Sequence, residues 1–336
     1  MSSRLCAQCN AIFDGPRLKE LMPHHESWDS VLAAAQQGCY ICYIVAKNNI
    51  WIKGRNQTYW FMRPCHRGSL GHQNASYYEV QIDGWQPMST TLAFQISSTH
   101  DTTRNYVAPV SPESPEVLDL GYRWYLTCRD NHKSCRVKDV NVRPTRLLEI
   151  LDQNTARVIL TQEEVCSMGY ATLSHCWGKS IPLRLLTSNI LELQTSVEIT
   201  RFPASYREAI MVCRRFGLKY LWIDSLCIVQ DSTDDWEREA AAMTNVYGNS
   251  MLNICTAGAA ESSEPSFASR DVAIISPAEF QARWGGQDSK TILLRHTNAY
   301  QMEVSSSPLF QRAWVVQEVM LASRLLVLAE NQLWWE

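Results

Sequence analysis

The spacing of apolar residues predicts alternating strands and helices in the C-terminal half of the chain. Short apolar runs at 170–175, 220–223, 251–256 and 324–329 have the length of buried strands. Between them, apolar residues recur at helical spacing in 204–216, from Ser232 to about Tyr247, and in 309–322. Pro203 begins the first of these helices, Gly217 ends it, and Ser232 caps the second. Alternating strands and helices predict an α/β fold with a mostly parallel sheet flanked by helices.

The N-terminal part of the chain has a different pattern. A helical stripe predicts a helix over 27–45, and strict alternation at 78–82 and 91–96 predicts half-buried strands. Two polar stretches, 97–116 and 261–271, are predicted to be loops. We therefore expect a Cys-containing, helical and β-rich region over 1–120, followed by the main domain over 121–336.

Composition excludes several classes of protein. The chain has 336 residues, of which 46% are hydrophobic and 12 are Trp, so wholesale disorder is excluded. The net charge of −3 gives no support to a nucleic-acid partner or an anionic membrane partner. We find neither a signal peptide pattern nor an apolar run long enough for a transmembrane segment. A cytoplasmic protein with reduced thiols is expected, and the aromatic end at 332–336 suggests a domain of a longer protein.

Three motifs carry a family resemblance. They are YATLSHCWG at 170–178, YLWIDSLCIVQD at 220–231 and RAWVVQE at 312–318. In this order they resemble the blocks of the fungal heterokaryon-incompatibility (HET) domain, and Trp124-x3-Cys128-x3-His132-x2-Cys135 looks like a segment that these proteins carry upstream. The resemblance implies a role in non-self recognition and regulated cell death in filamentous fungi.

The HET domain is similar, more distantly, to TIR domains, a flavodoxin-like class whose members self-associate as adaptors or hydrolyse NAD. LSHCWG at 173–178 resembles the first TIR strand, although Cys176 and Trp177 stand where a basic residue is common. Trp314-x3-Glu318 resembles a TIR helix start at which the Glu is catalytic in the hydrolases. The resemblance implies a TIR/flavodoxin-like sheet, NAD as substrate, and assembly into a homo-oligomer or with other death-signalling domains.

Glu318 is the predicted catalytic residue, because cleaving a nicotinamide–ribose bond builds positive charge on the ribose. A carboxylate against that sugar stabilises the oxocarbenium-like state, and nicotinamide leaves as a neutral molecule. Trp314, one helical turn earlier, would offer an aromatic surface to the nicotinamide ring. In the competing interpretation, Trp314 is a core anchor and Glu318 pairs with Arg312 or Arg324.

Ligands gather beyond the carboxyl ends of parallel strands, so we predict that residues after the strands at 170–175 and 220–223 bind the substrate. Two residues at the start of the third motif are added to this set. The full set is Ser174, His175, Trp177, Gly178, Asp224, Gln230, Asp231, Arg312 and Trp314. Asp224 could equally cap the next turn, and a lone His is usually structural. Glu237 and Glu239 are competing carboxylates that would also complement a helix dipole. A thiol nucleophile at Cys176 or Cys227 would lack a paired base.

Cysteine pairs indicate a structural metal site. Cys6-x2-Cys9 and Cys39-x2-Cys42 have the ligand spacing of a closed tetrahedral zinc site, although Cys39 and Cys42 also fit the apolar stripe of the predicted helix. Cys128, His132 and Cys135 offer three ligands for a second site. No catalytic metal is predicted.

The sequence thus favours a cell-death effector domain that hydrolyses NAD, with Glu318 as its carboxylate. The alternative is a non-enzymatic module that signals by self-association or recruitment. A nucleic-acid-binding regulator is disfavoured because the charge balance is acidic.

Overall fold

The computed structural model describes residues 5–15, 22–47, 58–64, 78–83, 92–98, 113–135, 142–162, 169–179, 183–267, 276, 278–284, 290–296 and 299–336. The α-helices are, in chain order, α1 (Ala7–Ala11), α2 (Trp28–Gln36), α3 (Tyr40–Lys47), α4 (Pro115–Asn131), α5 (Ile190–Thr195), α6 (Ala204–Phe216), α7 (Asp224–Cys227), α8 (Thr233–Gly248) and α9 (Ala313–Leu321).

The strands are β1 (Asp14–Gly15), β2 (Met22–His25), β3 (Thr58–Pro64), β4 (Tyr78–Asp83), β5 (Leu92–Ser98), β6 (Arg146–Ile150), β7 (Thr155–Leu160), β8 (Tyr170–Ser174), β9 (Val197–Glu198), β10 (Tyr220–Trp222), β11 (Leu252–Thr256), β12 (Ala278–Trp284), β13 (Lys290–His296), β14 (Leu325–Leu328) and β15 (Leu333–Trp335). The chain divides into two compact units, one comprising residues 1–108 with 271–302 and the other 109–270 with 303–336. No helix among the described residues is long and apolar enough to cross a membrane.

The unit that contains the N-terminus is built on a seven-stranded sheet in the order β1-β12-β13-β5-β4-β3-β2. Its neighbouring strands pair antiparallel except for β1, which runs parallel to β12. Helices α1 to α3 bury apolar side chains such as Val31, Ile41 and Ile44 in one core with Phe280 and Leu294 of β12 and β13. The two strands predicted at 78–82 and 91–96 are present as β4 and β5.

The helix predicted over 27–45 is two helices. Ser27 caps α2 as its side chain accepts a hydrogen bond from the backbone of Ser30, and the helix stops at Gln36. Gly38 then adopts a φ of 87°, a left-handed conformation that glycine takes without steric cost. The break turns the chain so that Cys39 precedes α3 and Cys42 lies in its first turn.

The second unit is an α/β layer with an eight-stranded sheet in the order β15-β14-β11-β8-β10-β6-β7-β9. The four central strands β14, β11, β8 and β10 run parallel. The predicted α/β class is therefore confirmed, but the sheet is mixed, because the outer strands β15, β6, β7 and β9 pair antiparallel. The β6–β7 and β14–β15 pairs are antiparallel hairpins, for which a short turn suffices. The Asp152 side chain closes the first of these turns by accepting from the backbone of Asn154 and Thr155.

The helices of this unit follow their local signals closely. Helix α6 occupies 204–216 as predicted and ends at Gly217, whose φ is 71°. The Ser232 hydroxyl caps α8 by accepting from the backbone of Asp235. Neighbouring residues of β10 point to opposite faces, Leu221 into one apolar core and Trp222 into another with Tyr247 of α8.

Several features depart from the predicted pattern. The helix expected over 309–322 is a short 3₁₀ turn, Leu309–Gln311, followed by α9, with Arg312 extended between them. Trp236 has the helical spacing of the apolar residues predicted between Ser232 and Tyr247, yet it is 51% exposed. The predicted loops at 97–116 and 261–271 lie partly outside the described residues.

Candidate active site

The first two motifs meet at one edge of the second unit's sheet. Strands β8 and β10 pair in parallel with Thr172 opposite Trp222, so the segments that follow them leave the sheet at the same edge. There the indole Nε1 of Trp177 donates a hydrogen bond to Oδ2 of Asp224 across 3.0 Å. The predicted convergence of these strand ends is therefore present in the structure.

His175 is buried in the middle of this cluster. Its Nε2 lies 3.1 Å from the hydroxyl of Tyr206 and 3.9 Å from Oδ1 of Asp224. The Tyr206 hydroxyl is in turn 2.6 Å from the hydroxyl of Ser225. Burial, with the positive charge of Arg312 nearby, lowers the pKa of His175 to about 3. The imidazole is therefore neutral at physiological pH, and its Nε2 can accept the Tyr206 proton.

Arg312 joins the third motif to the first. The extended backbone between the 3₁₀ turn and α9 directs its guanidinium to the backbone carbonyl of His175, to which Nη1 donates. This cation lowers the pKa of the nearby Glu318 and Asp224 carboxyls, although burial is the larger effect and raises both. The hydrogen bond from Trp177 opposes the rise at Asp224.

Ser174 connects the cluster to β11. Asn253 donates from Nδ2 to Ser174 Oγ across 3.1 Å, and its Oδ1 accepts from Thr172 Oγ1 across 3.1 Å. The three side chains are fully buried. The single Ser174 hydroxyl proton has two acceptors in reach, Oδ1 of Asn253 at 3.3 Å and the Glu318 carboxylate.

Glu318 is a buried carboxylate with no basic partner. It is 4% exposed, and no ion pair joins it to an Arg or Lys of the described segments. The hydroxyls of Ser174 and Tyr247 favour its charged form, yet Oε2 has no hydrogen-bond partner and burial raises its pKa. Such a group is unusual in a structural role, because a buried polar atom without a partner costs about 1–3 kcal/mol.

Trp314 lies one turn before Glu318 but at the surface. Its side chain is 61% exposed, so it is not a core anchor. Glu318 and Arg324 form no ion pair in the part of the chain that the structure describes; Nη1 of Arg324 donates to the backbone carbonyl of Met251.

The other predicted residues surround this cluster in different ways. Gly178 follows Trp177 with a φ of 79° and packs so closely on Glu261 that a Cβ would lie 2.0 Å from the Glu261 Cβ. Gln230 holds the chain after α7 by donating to the backbone carbonyls of Asp224 and Ile228. Asp231 is exposed and accepts two hydrogen bonds from Thr187.

The competing carboxylates and thiols lie elsewhere. Glu237 is exposed on α8, whereas Glu239 is buried within ion-pair distance of Arg146 and Arg238. Burial raises the pKa of the Cys176 and Cys227 thiols, which opposes formation of a nucleophilic thiolate.

Sequence reasoning missed four side chains that complete the cluster: Tyr206, Ser225, Tyr247 and Asn253. Tyr206 and Tyr247 occupy apolar stripe positions of their helices, where nothing distinguishes a functional hydroxyl from an ordinary core residue. Asn253 did carry a signal, because it is a polar residue inside an apolar run predicted to be a buried strand.

The cysteine pairs of the other unit come together as the spacing predicts. Cys6, Cys9, Cys39 and Cys42 place their sulfur atoms within 4.8 Å of one another, and this group could hold a metal ion. Two residues that the sequence did not single out, His24 and His25, join Cys9 and Cys42 in a second group of four. Thiolate and imidazole donors suit zinc. Cys128, His132 and Cys135 form a third group with three donors, of which His132 is exposed.

The comparison with known proteins agrees with the three motifs. Residues 170–318 match the family model described as Heterokaryon incompatibility protein (HET), so the match begins with β8 and ends at Glu318. No curated protein and no solved structure was found to match the chain. The motif cluster described above thus lies within the segment, residues 170–318, that matches the heterokaryon incompatibility (HET) family model.

Proposed function

We propose that this HET domain is a cell-death effector that hydrolyses NAD at the nicotinamide–ribose bond. The observation that carries the proposal is the Glu318 carboxylate, which is buried beside Ser174 with Oε2 unpartnered and with no ion pair to a basic residue among those the structure describes. Four parallel strands at the centre of the sheet support the proposed relationship to TIR domains. The match of residues 170–318 to the heterokaryon incompatibility family model supports the proposed role in cell-death signalling.

The proposed chemistry needs only one carboxylate. The C–N bond between ribose and nicotinamide breaks, its electron pair leaves with the neutral nicotinamide, and water adds to the ribose C1′ with release of a proton. Glu318 in its ionised form would stabilise the positive charge on the sugar and bind its hydroxyls. Neutral His175 and Asp224 would orient the sugar at the neighbouring strand end.

The substrate would approach from the side of Asp224. That carboxyl keeps 25% of its side chain exposed, whereas His175 and Ser174 are almost fully covered. Trp177 and Arg312 lie beside it, half-buried, and together present an aromatic surface and a cation. These are the groups expected to contact the nicotinamide ring and a phosphate respectively.

Nicotinamide release from NAD by the purified chain tests this proposal, measured by chromatography over a range of protein concentrations. Glu318→Gln and Glu318→Ala should each reduce release at least about 100-fold. Glu237→Gln is the matched control, since Glu237 is an exposed carboxylate on α8, and it should leave the rate unchanged. Equal rates for the wild type and both Glu318 variants, including no release from any of them, would refute NAD hydrolysis at this site.

A second candidate function is non-enzymatic signalling by self-association. It is favoured by apolar side chains exposed on α9, where Trp314, Val316 and Met320 are 61%, 60% and 79% exposed. Sedimentation of the wild type should then show a concentration-dependent oligomer that Trp314→Ser and Met320→Ser disrupt. Leu191→Ser on α5, 81% exposed, is the control for a general loss of surface hydrophobicity. A wild type that remains monomeric at high concentration would refute this candidate.

A further inference from the structure

Six metal-binding side chains from three segments meet in the first unit. Cys6 caps α1 and Cys9 lies within it, His24 and His25 end β2, and Cys39 and Cys42 lie just before α3 and in its first turn. All are buried except Cys6, which is half-buried. They form two groups of four donors, and Cys9 and Cys42 belong to both.

The distances between donor atoms are those of metal ligands. Two thiolates at about 2.3 Å from one tetrahedral zinc ion lie about 3.8 Å apart. The Sγ atoms of Cys6 and Cys42 are 3.7 Å apart, and those of Cys9 and Cys42 are 3.5 Å apart. The Nε2 of His25 lies 3.5 Å from the Cys6 sulfur and 3.2 Å from the Cys42 sulfur, while Nε2 of His24 lies 3.0 Å from the Cys9 sulfur.

The surrounding structure orients these ligands. Nδ1 of His25 lies 2.9 Å from the hydroxyl of Ser30, which donates its proton to the backbone carbonyl of Ser27. His25 Nδ1–H must then donate to Ser30, so the lone pair of Nε2 faces the sulfur atoms. The backbone N–H of Cys9 donates to the Cys6 sulfur across 3.4 Å, a contact that favours a thiolate there.

Charge and ligand use together favour two metal ions over one. A single zinc ion on four thiolates has a net charge of −2, which is costly among apolar residues such as Ile41, Ile44 and Phe13. A single ion on the group with both histidines is neutral but leaves the Cys6 and Cys39 sulfur atoms without a metal ion. Two zinc ions with four thiolates and two neutral imidazoles have a net charge of zero and use all six side chains. Two four-coordinate ions need eight ligand positions, and six residues supply eight when two thiolates bridge.

We propose that Cys6, Cys9, Cys39, Cys42, His24 and His25 bind two zinc ions, with the thiolates of Cys9 and Cys42 bridging them. Each ion then has four protein ligands and no position for water, as in a structural site. Loading releases four thiol protons to solvent, and no change in oxidation state is required. The two ions would tie α1, β2 and α3 together, as a disulfide framework does in other small units.

Zinc stoichiometry of the full chain tests the proposal, measured by elemental mass spectrometry after removal of loosely bound metal. The wild type should hold two zinc ions per chain, and His24→Ala with His25→Ala should reduce this to one. His132→Ala is the control for the Cys128, His132 and Cys135 group and should leave two ions bound. One ion in the wild type, no loss in the histidine variant, or a loss in His132→Ala would each overturn the two-ion cluster.

Cadmium-113 NMR of the cadmium-loaded wild type provides a test that needs no variant to fold. Two resonances of equal intensity are expected, one from an ion bound to four sulfur atoms and one from an ion bound to two sulfur and two nitrogen atoms. A single resonance would overturn the proposal. Circular dichroism of the histidine variant checks that zinc loss reflects lost ligands and not an unfolded unit.

Discussion

The indole of Trp177 and the carboxyl of Asp224 are joined by a hydrogen bond of 3.0 Å, although 47 positions separate them in the sequence. Trp177 lies in the loop after β8, and Asp224 begins α7 directly after β10 and Ile223. The backbone N–H of Ser225 donates to the other carboxyl oxygen across 2.6 Å. The Asp224 carboxyl thus links the first and second HET motifs through hydrogen bonds, and part of its side chain remains exposed.

We expect Trp177→Phe to destabilise the chain by about 1 kcal/mol. The substitution removes the hydrogen bond to Asp224 and retains an aromatic ring against His175, from which the Trp177 ring lies 6.5 Å. Loss of that donor should also raise the pKa of Asp224 further, since the Trp177 hydrogen bond now opposes the effect of burial. Urea unfolding measures the first effect. Trp236→Phe, at an exposed position of α8, is the control and should change stability little; equal stabilities of all three proteins would contradict the prediction.

Gly178→Ala should be much more harmful than Gly217→Ala. Both glycines have positive φ, 79° and 71°, so an alanine strains the backbone at either position by about 1 kcal/mol. A Cβ at Gly217 would meet nothing within 4 Å, whereas one at Gly178 would collide with the Cβ and backbone of Glu261. We therefore expect the Gly178 variant to lose at least about 2 kcal/mol of unfolding free energy. Thermal unfolding of the two variants side by side measures the difference, and equal losses would show that the loop of the first motif adapts freely.

Much of the second unit follows from local signals in its sequence. Helix α6 has an apolar stripe, a Pro at its start and a Gly with positive φ at its end, so its bounds could be predicted to the residue. The convergence of Ser174 with Asp224 follows from a general property of parallel strands, whose carboxyl ends lie at one edge. The mixed character of the sheet has no comparable signature in the sequence, because the direction of the outer strands depends on the hairpin turns that connect them.

The remaining features depend on contacts between distant parts of the chain. Strand β13 pairs with β5, with Leu294 opposite Ile96, and no local pattern announces a partner almost two hundred positions away. A glycine within a helical stripe costs about 1 kcal/mol and does not by itself end a helix, so the break at Gly38 was not predicted. His24 and His25 lack a recognisable spacing to the cysteine pairs, and only the fold brings them beside Cys9 and Cys42.

Glu318→Gln should stabilise the chain at neutral pH while it abolishes the proposed activity. Burial raises the pKa of Glu318, so the folded protein binds this proton more tightly than the unfolded chain does. The associated stability is fully present below the ordinary glutamate pKa of 4.5 and is lost as the pH rises through the folded pKa. Glutamine carries no charge at any pH, so we expect a gain of about 1–2 kcal/mol at pH 7 that disappears in acid.

Glu239→Gln is the matched control for this prediction. Glu239 is also a buried glutamate, but it lies 3.4 Å from the Arg238 side chain and 3.9 Å from the Arg146 side chain. Its neutralisation removes one of the two carboxylates that these guanidinium groups face, leaves them paired with Asp235 alone among the described carboxylates, and should lower stability. Chemical denaturation at pH 7 and below pH 4.5 distinguishes the cases. A loss of stability in Glu318→Gln at pH 7 would mean that its carboxylate is satisfied, which would remove the main support for a catalytic role.

His175 should make the chain increasingly unstable in mild acid. Its pKa is about 3 in the folded protein and 6.5 in an unfolded chain, so between these values only the unfolded chain binds the proton. The contribution of His175 to stability is therefore fully present above pH 6.5 and falls by about 1.4 kcal/mol for each pH unit below it.

His175→Gln keeps a side chain that can hydrogen-bond to the Tyr206 hydroxyl and removes the titrating ring, so the unfolding free energy of this variant should depend less on pH in this window. His132→Gln, at an exposed position, should retain the wild-type slope. Denaturation at pH 7, 6 and 5 measures the three slopes, and a His175 variant as acid-sensitive as the wild type would show that the imidazole is protonated inside the cluster and cannot accept the Tyr206 proton.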